Sequence, residues 1–276
     1  MNTHRIEYSS YWVAYFDLLG FENRVRSEST VRPTLEEYQT ALHEIQCKKT
    51  EITSPKWFSD TFLLYAPDHS EKSFVEIDEA CQRFFAHMVR WQVPLRGCLH
   101  VGNFYEDAEK GVLIGPALVD AYKLAECQDW LGFVLSPDAV TRREQYGASG
   151  DLYRQYDVPV DHSESIERLD ALTITHPSLH QGHCRPHEWW MCLHGMENDA
   201  LKVIDAKSGG HESAHAVEAP EEDERNRVLR KYRNSKKFLL HLHPELAQFV
   251  QGEYGPIPLR NRDVMGRIRD TSWHLP

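Results

Sequence analysis

The chain has 276 residues, of which 41% are hydrophobic and 26% charged, an ordinary composition for a globular protein with a substantial core. Its formal net charge of −11 argues against a protein that binds nucleic acid non-specifically. No run of about 18 apolar residues occurs, so we expect no membrane span, and the polar N-terminus does not resemble a signal peptide. The six scattered cysteines predict buried free thiols in a reducing cytoplasm rather than a disulfide framework.

Two apolar segments each carry a single aspartate. Residues 11–16 are typical of a strand, and Asp17 stands at its end, just before a glycine turn. Residues 56–65 are typical of a hairpin whose turn holds Asp60. Because an unpaired buried carboxylate is costly, the two aspartates indicate a shared counter-charge, most simply a pair of divalent metal ions. Two ordinary turn aspartates are the alternative, since aspartate is common at strand ends.

Hydrophobic spacing and turn residues predict the remaining elements of the first half. A helix is expected after Pro33, with Thr34 and Glu37 at capping-box spacing, and an amphipathic helix over about 72–91. Further predicted elements are, in chain order, a strand at 95–101, a turn region at 103–111, a short strand at 112–114, a helix at about 117–127 and a strand at 133–136.

The order β-α-β-β-α-β, followed by another helix and strand, predicts an α+β fold of the ferredoxin-like, split βαβ type with a central antiparallel-rich sheet. We expect the helices on one face of the sheet and a second copy of the chain on the other. Residues 8–145 form the predicted core. Residues 146–276 form a predicted C-terminal α/β extension packed on the core, with strands at 156–160, 172–175 and 188–193, a mobile loop at 207–222, a basic helix at 222–241 and a docked tail. A solvated helix face is the simpler interpretation of the basic helix.

The chain contains four motifs in this order: Phe16-Asp17-Leu18-Leu19-Gly20-Phe21, Lys56-Trp57-Phe58-Ser59-Asp60, the segment 95–102 and the segment 115–126. Together they resemble the class III nucleotidyl cyclase catalytic domain over about residues 8–140. The likeness is strongest to the compact bacterial pyrimidine cyclases of the Pycsar antiphage systems, which make cyclic UMP or cyclic CMP. The ordered set, with its two carboxylates 43 positions apart, is more specific than any one motif.

The resemblance implies a site for two divalent metal ions, Mn²⁺ or Mg²⁺. Asp17 and Asp60 match the two metal carboxylates of the family, and the carbonyl of Leu18 would add a ligand. The ions would activate the ribose 3′-hydroxyl of a nucleoside triphosphate and hold its triphosphate. Backbone N–H groups of Gly20 and Phe21 would face the phosphates.

The resemblance also implies a homodimer, because class III sites form between two subunits. Asp17 and Asp60 would come from one copy and Lys123 from the other. The family places an arginine and, one turn earlier, an asparagine where this chain has Lys123 and Val119. Lysine supplies a point charge without the arginine fork. Arg96 is expected either as a phosphate or base contact or as a surface ion-pair residue.

The residues that match the base pocket of the cyclase family partly predict which base this chain selects. Lys56, four residues before Asp60, can only donate hydrogen bonds, which suits uracil O4 or adenine N1 and suits the cytosine amino group badly. Val112, three residues before Gly115, cannot accept a bond from the adenine amino group. Trp57 offers bulk that could narrow the pocket, although strand alternation could turn it outward. UTP is therefore the favoured substrate, with CTP as the alternative.

Two further alternatives stay open. The histidine-rich cluster His176, His180, His183, Cys184 and His187 has ligands that suit zinc, but Pro177, Gly182 and Pro186 interrupt any helix there, and a polar loop is the simpler interpretation. The chain could also be a degenerate cyclase-like domain that binds a nucleotide or a partner without turnover. If the Pycsar likeness holds, the cyclic product would act on a separate effector protein.

Overall fold

A computed structural model describes residues 7–26, 28–46, 55–147, 153–161, 169–174, 186–208 and 220–247. The elements in chain order are β1 (Ser9–Leu18), α1 (Phe21–Val25), α2 (Glu28–Gln46), β2 (Lys56–Phe58), β3 (Thr61–Ala66), α3 (Glu71–Arg90), β4 (Leu95–Asp107), β5 (Val112–Ile114), α4 (Pro116–Glu126), β6 (Phe133–Leu135), α5 (Pro137–Gln145), β7 (Tyr153–Val158), β8 (Leu169–Ile174), α6 (Pro186–Ser208) and α7 (Pro220–Leu242). Among these residues, no helix has the length and apolarity needed to cross a bilayer.

One sheet organises the chain, with the strand order β2-β3-β1-β4-β6-β8-β7 and with β5 paired to β4. Its first four strands run antiparallel, β1 lying between β3 and β4. This is the strand order of a split βαβ unit, so the predicted α+β, ferredoxin-like arrangement is confirmed. β8 pairs with β6, so the strands after residue 150 continue the same sheet.

Helices cover both faces of the sheet. The even-numbered β1 residues Trp12, Ala14 and Phe16 pack under α2 and α3. The odd-numbered residues Val13 and Tyr15 share a second buried cluster with Ala117, Ala121 and Ala125 of α4. The expectation that a second copy of the chain covers the second face is therefore wrong, because β1 is apolar on both sides and α4 presents small alanines that let it lie close to the sheet.

Two predicted boundaries are also wrong. α2 begins at Glu28 instead of after Pro33, and Thr34 is buried inside the helix instead of capping it. A Thr-x-x-Glu spacing occurs in helix interiors as well as at helix starts. β4 continues to Asp107 through much of the predicted turn region at 103–111, because residues 105–107 pair with β5.

The predicted strand at 188–193 lies inside helix α6. The buried residues of α6 recur at helical intervals; they are Trp189, Cys192, Leu193 and Met196. A short apolar run does not by itself distinguish a strand from a buried helix. The basic helix at 222–241 is confirmed as α7. The predicted mobile loop is helical at both ends, at 207–208 and 220–222, and its centre lies outside the described residues, as do residues 248–276 of the predicted tail. Cys81, Cys98, Cys127 and Cys192 are buried free thiols, as predicted.

Aromatic packing fixes α3 to the strands that carry the two aspartates. The Phe84 ring lies 4.9 Å from that of Phe16 on β1 and 4.7 Å from that of Phe62 on β3, measured between centroids. Phe84 is 1% exposed, whereas Phe58 in β2 is 83% exposed.

We expect Phe84→Ala to lower the free energy of unfolding by about 3–5 kcal/mol, because it removes a buried ring and leaves a cavity. The matched surface variant Phe58→Ala should change it by about 0.5 kcal/mol or less. Urea unfolding followed by circular dichroism measures both. Equal losses in the two variants would contradict the described packing of α3.

Candidate active site

Asp17 and Asp60 lie at the same end of two adjacent central strands. Asp17 is the last but one residue of β1 and stands opposite Thr61, the first residue of β3. Asp60 directly precedes Thr61 in the β2–β3 turn, and its carbonyl accepts a hydrogen bond of 2.9 Å from the Leu18 N–H. The tight turn is closed by Ser59, which has a left-handed φ of 56°. The sequence-predicted pair is thus brought together by strand register and one backbone bond.

Strand alternation places Asp17 on the sheet face that α4 covers. Tyr15, two residues earlier on the same face, shares a 3.0 Å hydrogen bond between its hydroxyl and that of Thr61. Burial is the main reason why the pKa of Tyr15 rises to about 12, and nearby carboxylates add to it. The Tyr15 hydroxyl therefore stays protonated and serves as a fixed neutral group beside the two aspartates.

Arg96 is the counter-charge of Asp17. It stands directly opposite on β4, and its Nε donates to Asp17 Oδ2 at 2.8 Å. Both side chains are 11% exposed. The rest of the guanidinium is held by the end of α4: Nη1 donates to the carbonyls of Glu126 and, at 3.0 Å, Gln128, and Nη2 donates to Glu126 Oε1 at 3.1 Å. Every guanidinium nitrogen of Arg96 is therefore engaged within the chain.

The pKa of Asp17 is raised, and burial is the largest cause. The charge and the hydrogen bond of Arg96 oppose the shift, whereas the carboxylates of Glu126 and Asp60 add to it. Burial and two like charges together outweigh one close cation. The surroundings of Asp17 thus favour its neutral form more than water does, and an additional cation beside the carboxylate would oppose that shift.

Lys123 lies on the outer side of α4, one turn from Glu126, and is exposed. Its neighbours on that side are Val119, which is 48% exposed, and Tyr122, whose hydroxyl donates to Glu126 Oε2 at 3.4 Å and whose ring meets Tyr15 edge-on. Gly115, just before α4, has a φ of 156° and so little room that a Cβ there would lie 2.5 Å from the Asn103 carbonyl. A side chain at this position would push α4 away from β4.

The side chains of Lys56 and Trp57 lie on opposite faces of β2. Lys56 pairs with Leu63, which packs against the cluster under α4, so Lys56 belongs to the face that carries Asp17. Trp57 lies on the other face, stacked on Phe62 at 5.4 Å and edge-on to Tyr38. Its indole N–H donates to the Ser59 carbonyl at 2.6 Å. The structure therefore does not bring Trp57 together with Lys56, and strand alternation is the physical reason.

The remaining predicted residues lie at the edges of this site. Gly20 has a left-handed φ of 72° and precedes α1, a helix of only five residues. The Phe21 side chain packs against the main core, with its ring 6.4 Å from that of Tyr38. Val112 lies in β5 and is partly exposed. A cavity of about 610 Å³ between α7 and the end of β7 has none of the predicted site residues in its lining.

The donor set at Asp17 and Asp60 fits a hard divalent cation in part. Two carboxylates and the backbone carbonyl of Leu18 are oxygen ligands of the kind that Mg²⁺ and Mn²⁺ take, and Mg²⁺ commonly completes its shell with water and substrate phosphates. Within the described residues no group of three or more His, Cys, Asp or Glu side chains could hold a metal. In the histidine-rich cluster, residues 176–184 and the side chain of His187 lie outside the described part of the chain.

Glu126, whose carboxylate shares Arg96 with Asp17, was not among the site residues predicted from the sequence. A signal was available, because an acidic side chain at the C-terminus of a helix faces the negative end of the helix dipole and needs a compensating cation. Nothing local identifies Arg96 as that cation, since the two residues are 30 positions apart and meet only through the packing of α4 on β4.

Several solved structures with similarity to this chain are cyclase domains. The adenylyl cyclase CyaB from P. aeruginosa is 14% identical, with 62% of this chain and 96% of that chain covered and a TM-score of 0.47. The catalytic core of a rhodopsin-guanylyl cyclase with converted specificity, in complex with ATPαS, is 12% identical, with coverages of 61% and 97% and a TM-score of 0.46. The guanylate cyclase domain of RhGC from Catenaria anguillulae, in complex with GTP, is 13% identical, with coverages of 61% and 97% and a TM-score of 0.43. No family model and no curated protein matches the chain.

We expect Arg96→Ala to destabilise the fold by about 3–5 kcal/mol near pH 8, because it leaves the buried Asp17 carboxylate without its cation. The pKa of Asp17 is already raised and should rise further in the variant. A raised folded-state pKa means that the folded chain holds the proton more tightly than the unfolded chain, so stability is gained as the pH falls. The loss should therefore shrink towards pH 5.

Urea unfolding at both pH values measures this effect. The control is Arg32→Ala, which removes an exposed ion pair with Glu36 and should cost about 1 kcal/mol or less at either pH. An Arg96→Ala loss of the same size at pH 5 and pH 8 would show that Asp17 and Arg96 are not coupled.

Proposed function

We propose that this protein is a nucleotidyl cyclase that converts a pyrimidine nucleoside triphosphate, preferably UTP, to its 3′,5′-cyclic monophosphate and pyrophosphate. One observation carries the proposal. Asp17 and Asp60 lie side by side at one end of the central strands, joined by the Leu18 N–H to Asp60 carbonyl bond. Two carboxylates on adjacent strand ends, with the backbone carbonyl of Leu18 beside Asp17 in the chain, are oxygen ligands of the kind that a two-metal phosphoryl-transfer site requires.

The residues of this site would act chiefly by binding and positioning. Asp17, Asp60 and the Leu18 carbonyl would hold two divalent ions, Mn²⁺ or Mg²⁺. When bound, such ions lower the pKa of the attacking ribose hydroxyl and neutralise charge on the triphosphate. The peptide N–H groups at Gly20 and Phe21 would lie along the phosphates. Trp57 would support the turn that carries Asp60 through its bond to the Ser59 carbonyl, and would not contact the base.

The active form would be a homodimer in which each site takes residues from both copies. Lys123 is exposed on the outer side of α4, beside the partly exposed apolar side chains of Val119 and Tyr122. A cation next to an apolar strip suits a contact with a second copy. Lys123 would reach the triphosphate bound in the partner's site and stabilise the charge that develops during transfer.

Lys56 supports the preference for UTP. It lies on the Asp17 face of the sheet, and its ammonium group can donate to uracil O4 but cannot accept from the cytosine amino group. Arg96 would not serve as a direct base contact, because each of its nitrogens already has a partner in the chain. By resemblance to the Pycsar cyclases, the product would be a second messenger in antiphage defence, acting on a separate effector protein.

A second candidate function is a nucleotide-binding module without turnover. Its support is the Arg96–Asp17 pair, which gives one of the two carboxylates a counter-charge without any metal. Val119 and Lys123, which stand where the family has an asparagine and an arginine, point the same way.

Incubation of the purified protein with each of the four ribonucleoside triphosphates and Mn²⁺, with products identified by mass spectrometry, tests the activity. We expect cyclic UMP. Asp60→Asn should reduce its formation by at least about 100-fold, since even indirect metal contacts are worth 10–100-fold. Asp199→Asn, at an exposed carboxylate paired with Lys202, should leave the rate unchanged.

Each outcome of that assay has a distinct meaning. Cyclic CMP would retain the reaction and overturn the donor argument for Lys56. Cyclic AMP would overturn the argument from Val112, and cyclic GMP would overturn the preference for a pyrimidine. If no triphosphate is cyclised and Asp60→Asn binds nucleotide as the unchanged protein does, the binding module replaces the enzyme.

Mixing two inactive variants tests the shared site. Asp60→Ala and Lys123→Ala should each abolish activity alone. When they are mixed and allowed to exchange subunits, half of the dimers are mixed and each has one intact site of two, so about a quarter of the original rate should return. No recovery from variants that remain folded and dimeric would show that Lys123 does not act in the site of the partner copy.

A further inference from the structure

Residues 127–131, which we name the strap, connect the end of α4 to β6 and lie between the candidate active site and helix α7. We propose that Asp129 of the strap is a positioning residue through which α7 holds Arg96 against Asp17. The catalytic consequence of this coupling rests on the proposed cyclase function, whereas the coupling itself is a property of the fold. It assigns a role to α7, which the cyclase motifs do not include.

The first half of the strap is bonded to Arg96 and its strand. The Gln128 carbonyl accepts a 3.0 Å bond from Arg96 Nη1. The Gln128 side chain is fully buried, and its Nε2 donates to the Gly97 carbonyl at 3.0 Å, next to Arg96 on β4. The Trp130 indole N–H donates to Gln128 Oε1 at 2.8 Å and fixes the amide. A displacement of the strap would therefore move a partner of Arg96.

The second half of the strap is bonded to α7. The Asp129 side chain is 4% exposed, and its Oδ2 accepts from Arg230 Nε and, at 3.2 Å, from Asn234 Nδ2. Asn234 Nδ2 also donates to the Asp129 carbonyl at 2.8 Å. One turn of α7 thus forms hydrogen bonds with both the side chain and the backbone of Asp129. The Ser235 hydroxyl accepts a 2.8 Å bond from the Leu131 N–H.

Electrostatic interactions connect the half of the strap that binds Arg96 with the half that binds α7. Lys231 of α7 lies with its Nζ 3.5 Å from Asp129 Oδ1, and its pKa is lowered, first by burial and then by the positive charge of Arg96. Lys231 and Arg96 are therefore close enough to repel each other. The Asp129 carboxylate acts against the shift in the pKa of Lys231 and offsets this repulsion. Removing its charge would leave the α7 cations Arg230 and Lys231 facing Arg96 with only the weaker compensation that Asp161 provides.

These contacts make Arg96 the common member of two groups. On one side it binds Asp17 and Glu126, and on the other it binds the strap that α7 holds. When α7 is docked, the Arg96 guanidinium has one fixed position. When the contacts of α7 with Asp129 are lost, Arg96 keeps its bonds to Asp17 and Glu126 but loses a fixed partner in the strap, so its mobility rises and the position of Asp17 changes with it.

The test uses the full chain with Asp129→Asn, and Asp157→Asn as the matched control at a nearby exposed aspartate. Solvent exchange of the Arg96 Nε–H, followed by NMR, reports the coupling without any need for activity. We expect at least a tenfold faster exchange in Asp129→Asn, since a charged buried hydrogen bond is weakened, and an unchanged rate in the control. The kcat for the cyclic product should fall about tenfold with little change in KM, because Arg96 contacts no substrate.

If Asp129→Asn does not fold, Asn234→Ala replaces it, since it removes both Asn234 bonds to Asp129 while the ion pairs of Arg230 and Lys231 remain. Faster Arg96 exchange with a reduced kcat supports the proposal in full. Faster exchange in a protein that has no cyclase activity at all supports the coupling and refutes the function. Unchanged Arg96 exchange in a folded variant overturns the coupling, whatever the activity.

Discussion

The buried pair of Asp17 and Arg96 is the contact on which the rest of the site depends. A carboxylate on the central strand, covered by a helix, is tolerated only because a cation stands opposite on the next strand. Arg96 in turn needs acceptors for its other nitrogens and finds them at the end of α4. The C-terminal end of α4, which the helix alanines already hold close to the sheet, is thus also tied to the counter-charge of one aspartate.

This pair also helps to hold Asp17 and Asp60 close to each other despite their like charges. Asp17 and Asp60 carry like charges at adjacent strand ends, and their repulsion would favour separation. Arg96 and the Leu18 to Asp60 backbone bond oppose that separation. The same feature makes the binding-only alternative physically reasonable, since a structure that satisfies its carboxylate internally has less need for an external cation.

Much of the fold was predictable, because β1, the hairpin at Asp60 and helix α3 each have a clear hydrophobic period and clear turn residues. The proximity of Asp17 and Asp60 was implied by the resemblance to the cyclase family and was not shown by hydrophobic period, which left two separate turn aspartates as an alternative. The segment at 188–193 was not, because Trp189, Trp190 and Met191 form an apolar run that suits either a strand or a buried helix. The partnership of Arg96 with Glu126 depends on how α4 packs on β4, which no local pattern encodes. The opposite orientation of Trp57 needed the register of β2 against β3.

The pairing of β6 with β8 has a consequence for how the chain can be divided. Any fragment that ends near residue 145 would leave the edge of β6 open at Val134 and Leu135, two fully buried apolar residues. An open apolar edge invites pairing with other chains. The boundary between the predicted core and its C-terminal extension is thus a boundary of sequence motif and not of hydrogen bonding, because the sheet takes strands from both.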